Sequence, residues 1–230
     1  FLRRMIMILI QKKSEPKEWQ EYRCTPGVDY QSIPELVDAL LEEQGYICAY
    51  CMRRIPHKDR LYKKDGINYV LTDEDHRVEH IQSRENHDDK KLDYSNMVIC
   101  CPGHIGSEEH CDRLKGSKDI SFTPLDANFI ATLSYKMDGE IVSSNEQYNK
   151  EINDVLNLNT PILKENRKNT WEAVKKELIA HNGGKPWNKA VLSKYIEKYS
   201  SRHKKDEKSR LIPYCGVVLF FLQKKLKQMA

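Results

Sequence analysis

A chain of 230 residues, 39% apolar and 31% charged, is long enough to bury a real core and has the composition of an ordinary soluble protein. Its net charge of +4 and pI near 8.5 permit nucleic acid as a partner without demanding it, so any basic surface must be local. Seven cysteines, an odd number, two of them at Cys-x-x-Cys spacing, fit metal binding in a reducing compartment better than a disulfide framework; the expected location is the cytoplasm.

The opening residues hold an apolar run of six, Met5-Ile-Met-Ile-Leu-Ile10, before Gln11-Lys12-Lys13. That is too short for a signal peptide or a membrane span, and it reads as a buried strand. A polar connection through Pro16 and Pro26 follows. The first helix is expected from Ser32, where Ser32-Ile33-Pro34-Glu35 has the form of a capping box with Pro in the first turn. Ile33, Leu36, Val37, Leu40 and Leu41 line one helical face, and Gly45 supplies the stop.

Cys48-Ala49-Tyr50-Cys51 then has the spacing of a zinc knuckle, in which a tight turn points both thiolates at one tetrahedral ion. A redox dithiol, whose βαβ pattern is missing, and two buried cysteines acting as small hydrophobes are the competing readings. A second pair favours zinc. Cys111 with either Cys100 or Cys101 can supply it, although nine residues separate Cys101 from Cys111. Strand alternation brings only one of Cys100 and Cys101 to the metal, and His104 and His110 are reserve ligands.

Between the pairs, residues 69–72 and 77–81 are candidate strands of a hairpin around the acidic turn 73–75. A very polar loop, 82–91, leads to Leu92-Asp-Tyr-Ser-Asn96 and a short apolar strand, Met97-Val-Ile-Cys100. The segment after Cys111 reads as a helix start, so the order is strand, strand, helix around one edge of the metal site, the shape of a ββα-metal finger.

Beyond residue 118 long helices take over. A turn is expected at Asp138-Gly139 and a short helix over 146–156. A longer helix has Thr160 as N-cap and Pro161 at N1, with Leu163, Arg167, Trp171, Val174 and Leu178 on one face until Gly183-Gly184. Residues 188–199 follow with Val191, Leu192, Tyr195, Ile196 and Tyr199 at helical spacing. The basic run 201–210 reads as an exposed loop or a phosphate-facing patch. The last helix, about 213–227, is apolar through Val217, Val218, Phe220, Phe221 and Leu222, too short for a bilayer, and either packs on the finger or offers a partner-binding face.

Val78-Glu79-His80-Ile81, Asn96 and the cysteine pairs together resemble an HNH-type nuclease. In that family an acidic residue plus His, then an Asn, then a final His or Asn sit on the finger. A cysteine five positions after the Asn selects Cys101, giving Cys48, Cys51, Cys101 and Cys111 as structural zinc ligands. Asp112 stands where the family places its last His or Asn. The resemblance extends to the N-terminal Met-Ile-x-Ile, Cys-Ala-Tyr-Cys, Leu-Asp-Tyr-Ser-Asn, Cys-Asp-x-x-Lys-Gly, Leu156-Asn-Leu, Asn166-Arg167 and Pro213-Tyr-Cys-Gly-Val-Val, a set similar to the PtuB family of Septu-type antiphage systems. It implies an effector nuclease working with PtuA, an ATPase of the ABC type. Some relatives are encoded beside retrons, which implies a retron reverse transcriptase and its msDNA as further partners.

Phosphodiester cleavage needs a nucleophilic water, a cation to offset charge growing on the phosphoryl oxygens, and in-line geometry. A histidine such as His80 can be neutral near pH 7 and so can take the proton, while Glu79 and Asp112 offer oxygen ligands for Mg²⁺ or Mn²⁺. Neighbouring strand residues face opposite ways, so Glu79 and His80 share a face only if the strand ends there. Asn96 would hold the loop or the imidazole, and Arg113 and Lys115 would contact backbone phosphates. The bland alternatives are His80 as a zinc ligand or core histidine, Glu79 as a solvated strand residue and Asn96 as a turn-former.

The expected fold is α+β, a zinc-stapled ββα-metal (HNH) finger over 46–118 embedded in a mainly helical scaffold formed by 1–45 and 119–230. The expected activity is metal-dependent endonucleolytic cleavage of DNA in phage defence, with structured RNA such as tRNA as the alternative substrate. A non-catalytic zinc module that binds nucleic acid or a partner protein is the rival of a different class.

Overall fold

The computed structural model describes residues 7–56, 62–64, 67–69, 75–181, 183, 187–205 and 208–229. The expected strand at the N-terminus lies partly outside them, and within them residues 8–10 are irregular, although Met7 and Ile10 are buried. The first helix lies in the expected polar connection. It is α1 (Lys17–Arg23), entered from Pro16, with Trp19 wholly buried beneath it.

Next comes α2 (Pro34–Gln44), which starts later than expected. Ile33 is the N-cap and no side chain caps the helix, so Ser32 forms no capping box. Leu36, Val37, Leu40 and Leu41 are buried as the periodicity requires. Gly45 closes the helix at φ 61°, and a β-carbon there would lie 2.7 Å from Leu211 Cγ, so glycine is required both by conformation and by space.

The strands are short and pair locally in five two-stranded antiparallel sheets among the described residues. β1 (Tyr62–Lys64) pairs with β2 (Ile67–Tyr69). β3 (Arg77–His80) pairs with β4 (Met97–Cys100), in the register Arg77↔Cys100 to His80↔Met97. Of the expected hairpin of 69–72 with 77–81, Tyr69 belongs to β2 and 70–74 lie outside the described residues; the partner that the structure gives β3 is β4, across a polar loop. The physical reason is that all four residues of β4 are buried and offer a continuous apolar strand to pair with. The other edge of β4 is covered from α2, where buried Gln44 accepts from the Ile99 amide at 2.7 Å and donates to the Ile99 carbonyl at 2.7 Å.

β5 (His104–Ile105) and β6 (Glu108–Glu109) form a tiny hairpin, and α3 (Asp112–Lys115) is a single turn. The C-terminal part holds α4 (Ala127–Thr132), the hairpin β7 (Leu133–Tyr135) and β8 (Ile141–Ser143) about the expected turn at Asp138-Gly139, α5 (Glu146–Asp154), α6 (Pro161–His181) and α7 (Lys189–Ser200). The five residues expected inside α6 are its buried set, and Thr160 Oγ1 accepts from the Leu163 amide at 3.3 Å.

Within 201–210, expected as an exposed loop or a phosphate-facing patch, β9 (His203–Lys205) pairs with β10 (Lys208–Arg210), so those residues are strand and not loop. α8 (Cys215–Lys227) ends the chain as a central core helix: Phe221 stacks on Trp171 at 4.9 Å, and Val217, Val218, Leu219 and Leu222 are fully buried. Of the expected apolar run, Val217, Val218, Phe221 and Leu222 are therefore packed inside, as one of the two expectations had it, and only Phe220 is half-buried at the surface. Among the described residues no helix is long and apolar enough to cross a membrane.

Candidate functional site

The knuckle is built first. The bridge Ile47↔Arg54 and the bonds Cys48 N→Arg53 O, 2.9 Å, and Met52 N→Cys48 O, 3.1 Å, fold 47–54 into a tight turn, and Tyr214 N→Met52 O at 3.0 Å pins that turn to the C-terminal scaffold. The nine residues between Cys101 and Cys111 cause no difficulty, because they fold back on themselves. His110 N bonds Gly103 O at 2.7 Å, closing the β5–β6 loop. Gly103 sits at φ 79° where a β-carbon would lie 2.4 Å from Arg113 Cβ, so this closure depends on glycine.

Four buried sulfurs therefore converge. Those of Cys48, Cys51, Cys101 and Cys111 all lie within 4.8 Å of one another. Cys48 Sγ is 3.9 Å from Cys111 Sγ, and Cys51 Sγ is 3.7 Å from Cys101 Sγ. Thiolates about 2.3 Å from one tetrahedral ion would be about 3.8 Å apart, so the donor set fits zinc; disulfide sulfurs would be about 2 Å apart. Burial pushes Cys51 and Cys111 well up, whereas hydrogen bonds from neighbouring thiols draw Cys101 down to about 7. Four dry thiolates need a cation among them, and this cluster can hold one. Cys100 is buried outside the set, His104 is exposed on β5, and His110 uses Nδ1 on Cys111 Sγ at 3.1 Å, so none of the reserve ligands replaces a cysteine.

Beside the cluster, a cavity of about 270 Å³ is lined by Arg77, Glu79, His80, Ser83, Arg84 and Asp112, among others. β3 ends at His80, and Glu79 and His80, both buried, reach the same cavity. Burial lowers the His80 pKa to about 4, against the opposing hydrogen bond to the Lys91 carbonyl. That bond, Nε2 to Lys91 O at 3.0 Å, fixes the proton on Nε2, since a carbonyl only accepts; Nδ1 keeps its lone pair and has no hydrogen-bond partner among the described residues. The ring also stands edge-on to Tyr30, centroids 4.6 Å apart.

Asn96 does not touch the imidazole. Its Oδ1 accepts from Gln82 N at 2.9 Å, and its Nδ2 donates to Gln82 O at 2.9 Å and Lys90 O at 3.2 Å. It thus ties both ends of the 82–90 loop, and with them the neighbouring carbonyl that holds His80. Here the side chain is the clamp of a loop, and the plain turn-former reading falls short.

The acidic residues are already partnered. Glu79 Oε1 accepts from Tyr50 Oη at 2.8 Å and pairs with Lys115 Nζ at 2.9 Å. Burial pushes Glu79 well above the usual carboxylate range, the adjoining Asp112 carboxyl adds to this, and Lys115 opposes both. Lys115 is itself buried and also donates to His80 O at 3.2 Å; an ammonium left there without a counter-charge would cost several kcal/mol, so we take the pair as charged. Asp112 pairs with Arg77, whose side chain is half exposed. Two carboxylates thus face two cations.

Lys115 is accordingly corrected as a phosphate contact: its ammonium points inward, because the single turn of α3 lays it under β3. Arg113 lies outside the cavity lining and pairs with Glu109 at 2.6 Å. Sequence reasoning missed Arg77, Arg84, Tyr50 and Tyr30 at this site. Arg77 alone carried a signal, since it shares the face of Glu79 on β3. No protein-family model matches this chain, and no curated protein matches it.

Proposed function

We propose that the chain is a metal-dependent HNH-type endonuclease that hydrolyses phosphodiester bonds, with His80 as general base. The observation that carries this reading is the state of His80: neutral, held through Nε2 by a carbonyl, with no hydrogen-bond partner for Nδ1 among the described residues, and on the wall of a cavity that carboxylates and guanidinium groups also line. A core histidine would have both nitrogens satisfied or sealed from the cavity.

In this reading His80 Nδ1 takes a proton from water, the oxygen so activated attacks phosphorus, the bond to the leaving oxygen breaks, and that oxygen takes a proton from solvent. Asp112 and Glu79 fit a hard divalent cation such as Mg²⁺ or Mn²⁺, which would offset charge on the phosphoryl oxygens. Asp112 is the better donor, because its partner Arg77 is free to leave, whereas Glu79 is enclosed by Tyr50 and Lys115. Asn96 keeps the loop and the Lys91 carbonyl in place. The four cysteines hold zinc as a staple. Placement in the PtuB family, DNA as substrate, a PtuA-like ATPase as partner and a role in phage defence rest on the sequence motifs.

The test is cleavage of supercoiled plasmid and of a tRNA pool by the purified protein, alone and together with the products of its neighbouring genes, with and without Mg²⁺ or Mn²⁺. Cation-dependent cleavage is expected, and His80→Ala should lower it by at least about two orders of magnitude while zinc content and fold survive. Cleavage of RNA alone would move the substrate to tRNA. If His80→Ala cuts as well as wild type, or loses zinc, the reading is wrong and a binding module remains.

A further inference from the structure

Arg84 sits in the polar 82–91 loop, whose composition suggests only a solvated surface. Its surroundings are more specific. The guanidinium lies 4.5 Å over the Tyr30 ring, and Tyr30 stands edge-on to His80. Arg84 lines the cavity that His80, Glu79 and Asp112 share, and it is exposed there. Among the described residues it forms no ion pair or hydrogen bond. Glu85, also on the cavity wall, does not pair with it. By contrast, Arg77 pairs with Asp112 and Arg113 with Glu109, so each already has a carboxylate against its guanidinium.

The backbone that carries Arg84 is fixed on both sides. Gln82 N bonds Asn96 Oδ1, Asn86 N bonds Ser83 Oγ at 3.2 Å, and His87 N bonds Ser83 O at 2.9 Å. Asn86 Nδ2 reaches Ser117 O and Asp119 Oδ2, each at 3.0 Å, which ties the loop to the segment after α3. A guanidinium seated over an aromatic ring with no hydrogen bond of its own keeps its N–H groups for another acceptor, and the tied loop reduces the entropy lost when it finds one. Guanidinium edges beside a general base match a phosphodiester oxygen.

We propose that Arg84 is the residue that binds a phosphodiester oxygen of the nucleic-acid substrate next to His80, in the role that the sequence pattern gave to Arg113 and Lys115. This rests on the nuclease reading above. Tyr30 is its seat and sets its distance from the imidazole.

The experiment uses the full zinc-loaded chain carrying His80→Ala, so that binding is read without cleavage, and a fluorescein-labelled DNA duplex and a labelled tRNA as probes. Adding Arg84→Gln should weaken binding about five- to tenfold and reduce the slope of log K against log salt by about one. Lys136→Ala, which removes the same charge on the β7–β8 hairpin, should leave both unchanged. With His80 intact, Arg84→Lys should restore affinity and salt slope but only part of the cleavage rate, because an ammonium lacks the planar fork. An Arg84→Gln protein that matches the Lys136→Ala control overturns the assignment of Arg84 alone. A chain that binds neither probe at low salt overturns it together with the nuclease reading.

Discussion

The Lys115 ammonium lies 2.9 Å from Glu79 Oε1 with both side chains shut away from solvent, and the same ammonium donates to the His80 carbonyl. One lysine thereby joins the one-turn helix after Cys111 to the end of the strand that carries the proposed base. Removing one partner of such a pair strands a charge, so Lys115→Met should cost about 3 to 5 kcal/mol in urea unfolding of the zinc-loaded protein. Combining it with Glu79→Gln should recover part of that loss. A Lys115→Met protein as stable as wild type would mean that the lysine swings out to solvent.

Metal content tests the cysteine assignment. Wild type should carry one zinc per chain, and Cys51→Ser or Cys111→Ser should lose it and aggregate, since structural zinc contributes about 10 to 16 kcal/mol in small modules. Cys100→Ser should keep its zinc, because that thiol lies outside the set of four. Folded, zinc-free wild type would sink the assignment.

Asn96 makes three hydrogen bonds to the two ends of one loop. Asn96→Ala should destabilise the protein by about 2 kcal/mol and speed amide exchange at Gln82, whereas Asn96→Asp, which keeps the acceptor and loses both donations, should fall between. Unchanged exchange at Gln82 would show that the loop is held by something else.

For α8 the expectation is now that of a core helix. Phe221→Ala should cost about 3 to 5 kcal/mol, as a truncated buried aromatic does, and Phe221→Lys should not yield folded protein. A folded Phe221→Lys chain would return the helix to the surface.

What could be read from sequence was what is local or periodic. The buried face of α6 follows from spacing alone, and the four-cysteine cluster from a cysteine pair and a family spacing. The pairing of β3 was not legible, because its partner β4 lies beyond a polar loop and is set by the burial of β4 and by the Asn96 and Gln44 bonds. Buried polar residues were equally hidden. Lys115 and Gln44 carry the same letters as solvated residues, and only the partners that the fold places opposite them, Glu79 and the His80 carbonyl for the lysine and the Ile99 amide and carbonyl for the glutamine, distinguish the two. α1 had its signals, Pro16 before it, Glu18 in its first turn and Arg23 in its last, but seven residues are too few to show a period.

The last prediction concerns Arg77 and the proposed cation. Glu79 and Asp112 lie together, balanced by Lys115 and Arg77, so a divalent cation approaching Asp112 meets a guanidinium already in place. Lys115 cannot leave without exposing a buried charge. Arg77, half exposed, can turn outward. At an effective dielectric of 20, a unit charge at about 4 Å is worth about 4 kcal/mol, and screening of an exposed group leaves a fraction of that, so Arg77→Ala should tighten Mn²⁺ binding by about tenfold. Titration of zinc-loaded, metal-exchanged protein by electron paramagnetic resonance of free Mn²⁺ reads this directly, without reference to cleavage. Arg77→Lys should bind Mn²⁺ as wild type does, because it restores the competing charge. If Arg77→Ala binds Mn²⁺ no better than wild type, or more weakly, Asp112 is not where the cation sits, and the Arg77 pair serves only to fix α3 against β3.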